Sequence, residues 1–290
     1  MQAISPMPVR FMCISDTHGV KLDENKQHPF SLPLPKVDVL LHSGDLTQCG
    51  SIRPFKDALE MMSQIHAELK LVIAGNHDLE LDPQDGVEEG EEEECAEAIA
   101  LMTGPMAKRA GVTYLSEGTH SFTLSSGATF TIYVSPYSVE YGDYVFGTKL
   151  TEDRYSNKTA DNPIPDNVDI IMTHGPPKTI LDTCLHDGKE VNVGCPALLE
   201  ATARVQPKLH CFGHIHEGYG ATTITWDGVS QDREISKSMQ LLKCNYIDAK
   251  PESYHNKSLY VNAAIQGEGG ALSNAPFIVD LMLPAASLQT

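Results

Sequence analysis

The segment Val9-Arg-Phe-Met-Cys-Ile-Ser-Asp-Thr-His18 is a short apolar run that breaks off abruptly in polar residues. Two later segments, 37–45 and 69–78, repeat this design. Short apolar runs bounded by turn residues are typical of buried strands in α/β sheets. The sequence therefore predicts a row of buried strands, each of which ends in a polar cluster.

The residues between the second and third of these runs predict a helix. From Phe55 to Leu69, apolar side chains recur at the spacing of one helical face. An alternation of strand, helix and strand indicates a parallel sheet. The carboxyl ends of adjacent parallel strands meet at one edge of the sheet, where open α/β folds usually bind their ligands. The apolar positions of this helix are Phe55, Leu59, Met62, Ile65 and Leu69.

Five polar clusters lie where apolar runs end. Together they supply Asp, Asn and His side chains, which are donor types suited to a pair of divalent ions held about 3.5–4 Å apart. No single cluster provides enough ligands, so several strand ends would have to contribute. The clusters are Asp16-Thr-His18, Gly44-Asp45, Gly75-Asn-His-Asp78, His174-Gly175 and Gly213-His-Ile-His216.

In order and spacing these clusters resemble the calcineurin-like metallophosphoesterase superfamily, with its D-x-H, G-D, G-N-H-D/E, H and G-H-x-H motifs. The closer resemblance, carried by residues 171–177, 193–195 and 207–220, is to the metallophosphoesterase domain-containing branch. Some vertebrate members of that branch have Gly at the first His of G-H-x-H, whereas this chain keeps His214. The resemblance implies a complete dinuclear centre on an α/β fold, a four-layer αββα sandwich of two mixed β-sheets flanked by helices.

The resemblance also implies seven ligands shared between two divalent ions. Asp45 would bridge both ions. Manganese, iron, zinc and nickel all suit such oxygen and nitrogen donors, so the identity of the ions stays open. The first ion would also take Asp16, His18 and His216, and the second would also take Asn76, His174 and His214.

The nucleophile implied is a hydroxide that bridges the metals, because coordination lowers the pKa of water from 15.7 toward about 7. His77 is the candidate for protonating the leaving alkoxide, a contribution of about 10²–10⁴-fold. Asp78 would either orient His77 or stabilise the turn. Tyr137 and Tyr219 are candidates for substrate contact, and a place capping the core is an equal alternative for Tyr137.

The predicted function is hydrolysis of a small organic phosphate. The resemblance favours phosphodiesters such as cyclic nucleotides, and a small-molecule phosphomonoesterase is the alternative. A protein Ser/Thr phosphatase is disfavoured, because that class carries G-D-x-V-D-R-G where this chain reads Gly44-Asp-Leu-Thr-Gln-Cys-Gly50. A non-catalytic scaffold on the same fold is disfavoured too, because all seven ligands are intact.

The amino-acid composition limits which partners and which cellular compartment are expected for this protein. A net charge of −18 over 290 residues argues against long nucleic acid and anionic membranes, which bind through Lys and Arg. Seven cysteines without a C-x-x-C pair favour reduced thiols. No apolar stretch approaches 18 residues, and the first cluster leaves no room for a cleavable leader. A cytoplasmic protein that binds a small phosphorylated substrate is expected, and its oligomeric state stays open.

A single metallophosphoesterase domain is expected over residues 1–290, with two segments inside it that carry no motif. Residues 82–97 contain nine acidic and no basic side chains, and predict a solvated loop before a helix from about Ala96 to Arg109. Residues 226–257 predict a long insertion that either folds over the site or lies on the surface. Later strand-like runs, among them Thr129–Val134 and Phe277–Leu283, are expected to form a second group of strands.

Overall fold

The computed structural model describes eighteen strands and four α-helices. For residues 231–235, 239–241 and 268 it describes the backbone alone. The described residues are 5–286, except 23–27, 83–91, 157–161, 227–230, 236–238, 242–243, 251–253 and 255.

The first sheet has seven strands. In spatial order they are β15 (Met239–Leu241), β16 (Cys244–Asp248), β18 (Phe277–Leu283), β1 (Met7–Ile14), β2 (Val39–His42), β3 (Leu69–Val72) and β4 (Val112–Tyr114). Strands β1 to β3 run parallel, as the sequence predicts, and β4, which was not predicted, continues the parallel order. All four residues of β2 are buried, which is the pattern of a strand covered on both faces.

The second sheet also has seven strands. In spatial order they are β14 (Gln231–Ile235), β13 (Gly220–Trp226), β17 (Lys257–Asn262), β12 (Leu209–Phe212), β9 (Ile170–Thr173), β6 (Thr129–Ser135) and β5 (Gly118–Thr123). The four central strands run parallel, and the flanking β5 and β13 run antiparallel to their neighbours. Two short pairs lie outside the sheets: β7 (Ser138–Val139) with β8 (Gly147–Thr148), and β10 (Thr183–His186) with β11 (Lys189–Asn192).

The two sheets pack face to face over the main core. Phe11 of the first sheet meets Phe130 of the second with ring centroids 5.8 Å apart in an edge-on contact. Helices α1 (Ile52–Ser63), α2 (Glu92–Thr103) and α3 (Pro105–Ala110) share a second core with the first sheet, and α4 (Pro196–Val205) shares a third with the second sheet. Each fully buried large apolar side chain contributes about 1.5–3 kcal/mol. The predicted αββα sandwich is confirmed.

Four local predictions were wrong. Phe277–Leu283 pairs antiparallel with β1 in the first sheet, because alternation of side chains predicts a strand but not its partner. The helix expected over 96–109 already includes Glu92, so the loop predicted over 82–97 ends before that residue. The helix is also divided at Gly104, since the residue before Pro105 is pushed out of helical geometry. Helix α1 ends at Ser63, so Ile65 and Leu69 lie beyond it, and Leu69 begins β3.

Much of the two segments without motifs lies outside the described residues. Of the acidic segment, residues 83–91 lie outside, and α2 begins with Glu92, Glu93 and Glu94 in its first turn, where the helix dipole favours carboxylates. The described parts of the insertion 226–257 include β14 at one edge of the second sheet and β15 and β16 at one edge of the first. They extend both sheets. Among the described helices, none has the length and apolarity that a bilayer span requires.

Candidate metal centre and its cavity

The predicted ligands follow the carboxyl ends of five parallel strands. Asp16, Asp45 and Asn76 come shortly after β1, β2 and β3, while His174 and His214 come after β9 and β12. The ends of the two sheets are joined here, because the backbone N–H of residue 15 donates to the carbonyl of residue 263 over 2.9 Å. Residues from both sheets can therefore meet at one site.

Four of the seven predicted ligands lie in the left-handed region of backbone space. The φ angles are 52° at Asp16, 43° at His18, 54° at Asp45 and 68° at His214. Asp and His tolerate this region better than most residues, yet each such position costs on the order of 1–3 kcal/mol. A cluster of strained residues is retained where the surrounding structure imposes it, typically at functional sites.

The first group of candidate ligands contains Asp16, His18 and His216, whose ligand atoms all lie within 4.8 Å of one another. The Nε2 atom of His216 lies 3.4 Å from Oδ1 of Asp16. The Nδ1 atom of His18 lies 2.9 Å from the carbonyl of Thr47, so it carries the proton and leaves Nε2 free to bind a cation. Histidines that ligate metals usually make such a bond through the other ring nitrogen.

The second group contains Asp16, Asp45 and His174, again with ligand atoms within 4.8 Å of one another. Asp45 lies between the histidines of the two groups: its Oδ1 is 3.5 Å from Nε2 of His174, and its Oδ2 is 3.6 Å from Nε2 of His18. The side-chain oxygen of Asn76 lies 2.8 Å from His174 and 2.8 Å from His214. The structure thus brings all seven predicted ligands together.

The protonation pattern of His174 fits a cation. Its Nδ1 lies 2.9 Å from the carbonyl of Ser43 and therefore carries the proton of the neutral ring. Its Nε2 then presents a lone pair to the amide oxygen of Asn76, which is also an acceptor. In this orientation of the amide, two acceptors face each other at 2.8 Å, a contact that a positive charge beside both atoms stabilises. The donor set fits divalent metal ions on this ground.

The pKa shifts of the buried groups also favour a bound cation. Burial, together with the neighbouring carboxylates of Asp16 and Asp78, raises the pKa of Asp45 well above its ordinary value. Burial lowers the pKa of His18 to about 4 and that of His214 to about 3. These imidazoles are therefore neutral at pH 7, which is the form that binds metal.

His77 lies on the cavity beside the ligands. Its backbone N–H donates to Oδ1 of Asp45 over 2.9 Å, and its ring Nδ1 lies 2.7 Å from the carbonyl of Gln48. The bond to Gln48 fixes the ring and leaves Nε2 for the substrate. The ring centroid of Tyr144 lies 4.3 Å from that of His77.

Asp78 stabilises the turns rather than the ring of His77. It is fully buried, and its carboxylate accepts backbone N–H groups of Leu46, Thr47 and Gly75 at 2.9–3.1 Å. These bonds connect the loop of Asp45 to the loop of Asn76. Of the two predicted roles, the turn-stabilising one matches these contacts.

Neither tyrosine predicted to contact substrate lines the cavity. The guanidinium of Arg154 covers the ring of Tyr137 at 3.4 Å, which corresponds to the alternative place against the core. The hydroxyl of Tyr219 donates to the carbonyl of Ala275 over 2.6 Å, and its ring packs on Phe277. A loop tyrosine that follows a motif can turn inward as readily as toward the site, and adjacency in sequence did not distinguish the two.

The cavity has a volume of about 650 Å³. Its floor is formed by predicted ligands and His77, and its walls carry apolar side chains that the sequence prediction missed. Four of these are the large hydrophobic residues that the described part of the chain exposes: Tyr141, Tyr144, Leu150 and Leu185. The sequence feature that could have indicated these walls is the presence of apolar side chains in otherwise polar loops. An example is the pair of tyrosines in Glu140-Tyr-Gly-Asp-Tyr144.

Comparison with known proteins identifies relatives of this chain. The sequence profile of the calcineurin-like phosphoesterase family matches residues 9–218. Metallophosphoesterase domain-containing protein 1 of Homo sapiens is 33% identical over 243 residues, which cover 76% of this chain and 67% of that protein. A UPF0046 protein of Caenorhabditis elegans is 30% identical over 266 residues, 89% of this chain and 64% of that protein.

Two further similarities differ in extent. The Probable rhamnogalacturonate lyase C of Emericella nidulans is 31% identical over 221 residues, 76% of this chain but only 18% of that protein. The crystal structure of Phosphopantetheinyl Hydrolase from Mycobacterium tuberculosis superposes with a TM-score of 0.48 at 12% identity, covering 92% of this chain and 91% of that one. On the family profile and the sequence identities, the chain belongs to the calcineurin-like phosphoesterase family of metal-dependent phosphoester hydrolases.

Proposed function

We propose that this protein is a dinuclear metal-dependent phosphodiesterase that acts on small organic phosphates. The observation that carries the proposal is the convergence of all seven predicted ligands, four of which line the floor of one cavity: Asp45, Asn76, His214 and His216. A volume of about 650 Å³ lies in the range of sites for small molecules, roughly 300–1,000 Å³.

Residues of the chain would divide the work of hydrolysis. Bound divalent ions would supply Lewis-acid activation of the phosphoryl group and of water. His77, oriented by the carbonyl of Gln48, would donate a proton from Nε2 to the leaving oxygen when its ring is in the protonated form. The bond from phosphorus to that oxygen breaks, the oxygen takes this proton, and the oxygen of water joins phosphorus. Of the two protons of that water, one restores the proton of His77 and the other goes to solvent.

The charge of the cavity favours diesters over monoesters. A diester carries one negative charge, whereas a monoester carries between one and two at neutral pH, because the second pKa of a phosphate lies near 6. The walls carry the acidic side chains Glu140 and Glu217, and Lys178 is the single Lys or Arg among the described residues that line the cavity. The bound divalent ions would supply the largest positive charge in the site, and the walls add little to it for the additional charge of a monoester, so the phosphomonoesterase is the second candidate.

The net charge of the chain bears on which partners the protein binds. With a net charge of −18, we propose that the protein binds a small phosphorylated molecule rather than long nucleic acid or a membrane surface. All seven cysteines are free in the structure, which supports a reducing compartment and hence the cytoplasm. Manganese is proposed as one working ion, with iron, zinc and nickel as alternatives that the same ligands accept.

The test is an assay of metal-stripped protein to which each ion is restored separately. The substrates are bis(4-nitrophenyl) phosphate, 4-nitrophenyl phosphate and a 2′,3′-cyclic nucleotide. We expect hydrolysis to depend on the added ion and kcat/KM to be higher for the diesters. Higher kcat/KM for the monoester would select the second candidate. If no substrate is hydrolysed with any ion, the remaining hypothesis is a non-catalytic scaffold.

A further inference from the structure

The apolar lining of the cavity comes from two segments of the chain. The tyrosine wall consists of Tyr141, Tyr144 and Leu150, and the hairpin wall consists of Leu185, Val191 and Val193. They come from different parts of the chain, residues 141–150 and 185–193. The floor of metal ligands belongs to the same cavity. A phosphoryl group bound at this floor would therefore lie in a cavity to which two apolar segments of the chain contribute.

The tyrosine wall is adjacent to the candidate proton donor. The ring of Tyr144 lies 4.3 Å from that of His77, with the planes inclined by 41°. Tyr144 is 42% exposed and Tyr141 is 75% exposed, so both rings retain free surface. An organic group bonded to the oxygen that His77 protonates would lie against this wall. Aromatic side chains bind flat apolar groups well, because stacked rings add about 0.5–1.5 kcal/mol to the burial of area.

The hairpin wall lies near the candidate ligand His216. Strand β10 packs against the turn that carries His216 and Glu217. Leu185 at the hairpin is 62% exposed, so its side chain offers apolar surface to a bound group. The base of the hairpin is firmly held, because the buried carboxylate of Asp182 accepts the backbone N–H of Gly194 over 2.9 Å and the side chain of Asn192 over 2.7 Å.

We propose that the two walls bind the two organic groups of an unsymmetrical phosphodiester: the tyrosine wall takes an aromatic leaving group, and the hairpin wall takes an apolar group that stays on phosphorus. This inference rests on the proposed function and adds the substrate class. Glu140 lines the cavity beside the first wall and Glu217 beside the second, so groups with a further negative charge are rejected. The substrate is thus a monoanionic diester with two uncharged apolar arms.

The test compares two esters that share a leaving group. Bis(4-nitrophenyl) phosphate has a large retained group, and methyl 4-nitrophenyl phosphate has a small one. We expect Leu185→Ala to lower kcat/KM about 10-fold for the first ester and less than about twofold for the second, because apolar contacts of this size discriminate by about 10–200-fold. Tyr144→Ala is expected to lower kcat/KM for both esters, since both release 4-nitrophenol.

Two conservative variants of the wall residues, and one variant at a nearby residue of the hairpin, serve as controls. Leu185→Met and Tyr144→Phe keep the apolar surface and should retain the wild-type ratio between the two esters. Lys189→Gln changes the same hairpin at a residue that does not line the cavity, and should alter neither ester. If Leu185→Ala lowers kcat/KM equally for both esters, or for neither, the ratio between the esters stays at the wild-type value. That result would refute the two-wall arrangement while leaving the phosphodiesterase proposal intact.

A protein that hydrolyses neither ester with any ion would refute the proposed function, and binding would then decide the inference. Calorimetric titration of the metal-loaded protein would compare diphenyl phosphate with methyl phenyl phosphate. Two walls predict at least about 10-fold tighter binding of the diphenyl ester, and loss of that advantage in Leu185→Ala. Equal affinities of the wild-type protein for the two esters would contradict the two-wall arrangement.

Discussion

The Nε2 atom of His174 lies 2.8 Å from the side-chain oxygen of Asn76, 98 residues away in sequence, and Nδ1 of His214 lies at the same distance from that oxygen. With the proton of His174 committed to the carbonyl of Ser43, two electron-rich atoms face each other. In the absence of a cation, a rotated amide that donates its NH2 to His174 would be the more favourable arrangement. The orientation in the structure is stabilised when a metal ion takes both atoms as ligands.

Asn76→Ala should therefore weaken metal binding. The variant removes the oxygen between the two histidines, and we expect about 10–100-fold lower affinity for one of the two ions, by analogy with the loss of a group that supports a metal site. Titration of stripped protein with manganese measures this. Asn167→Ala, which changes an exposed asparagine, is the matched control. Wild-type affinity in Asn76→Ala would show that the amide is not a ligand.

Gly213→Ala tests the close approach of backbone to ligand. A β-carbon at position 213 would collide with the carboxylate of Asp16 and the hydroxyl of Ser15. Displacing Asp16 by about 1 Å should reduce kcat on the order of 10²-fold and weaken metal binding. Metal titration and assay measure both effects, and a thermal unfolding curve of the stripped protein distinguishes a displaced ligand from a misfolded chain. Unchanged kcat would mean that Asp16 can shift without cost.

The buried His210 predicts a pH dependence of stability. Burial lowers its pKa to about 3, against about 6.5 in the unfolded chain. Between these values the unfolded state binds more protons, so the free energy of unfolding falls as pH decreases from 6.5 toward 3. Nε2 of His210 lies 2.9 Å from the hydroxyl of Thr173, a bond that Gln can replace.

Urea unfolding of stripped wild type and His210→Gln at pH 7.5 and 5.5 measures this contribution. We expect the wild type to lose more stability over this interval, with a difference in slope of up to about 1.4 kcal/mol per pH unit below pH 6.5. Parallel losses in the two proteins would show that His210 takes up no proton on unfolding.

The convergence of the ligands could be predicted because it follows from topology. Residues that follow parallel strands must lie at one edge of the sheet, so Asp16, Asp45 and Asn76 are brought together by the order of β1, β2 and β3. The contribution of the second sheet, His174 and His214, was implied by family resemblance and not by periodicity. Sequence patterns alone do not specify how two sheets are joined.

The remaining features depend on tertiary contacts that a linear pattern does not encode. The strand Phe277–Leu283 was recognised, but its partner β1 lies some 270 residues away and no local signal selects it. Tyr219 was assigned to the substrate although its hydroxyl is held by Ala275. Tyr144 was overlooked because a loop has no periodicity that marks which ring faces a cavity.

The most direct test of the dinuclear centre is elemental analysis of reconstituted wild type and Asp45→Asn, combined with the diester assay. Asp57→Asn, at a carboxylate on the surface of α1, is the control. We predict about two ions per chain and full turnover for wild type and control, and at most about one ion with loss of turnover for Asp45→Asn. A wild-type chain that retains no metal, or an Asp45→Asn variant with the metal content and activity of the wild type, would contradict the account.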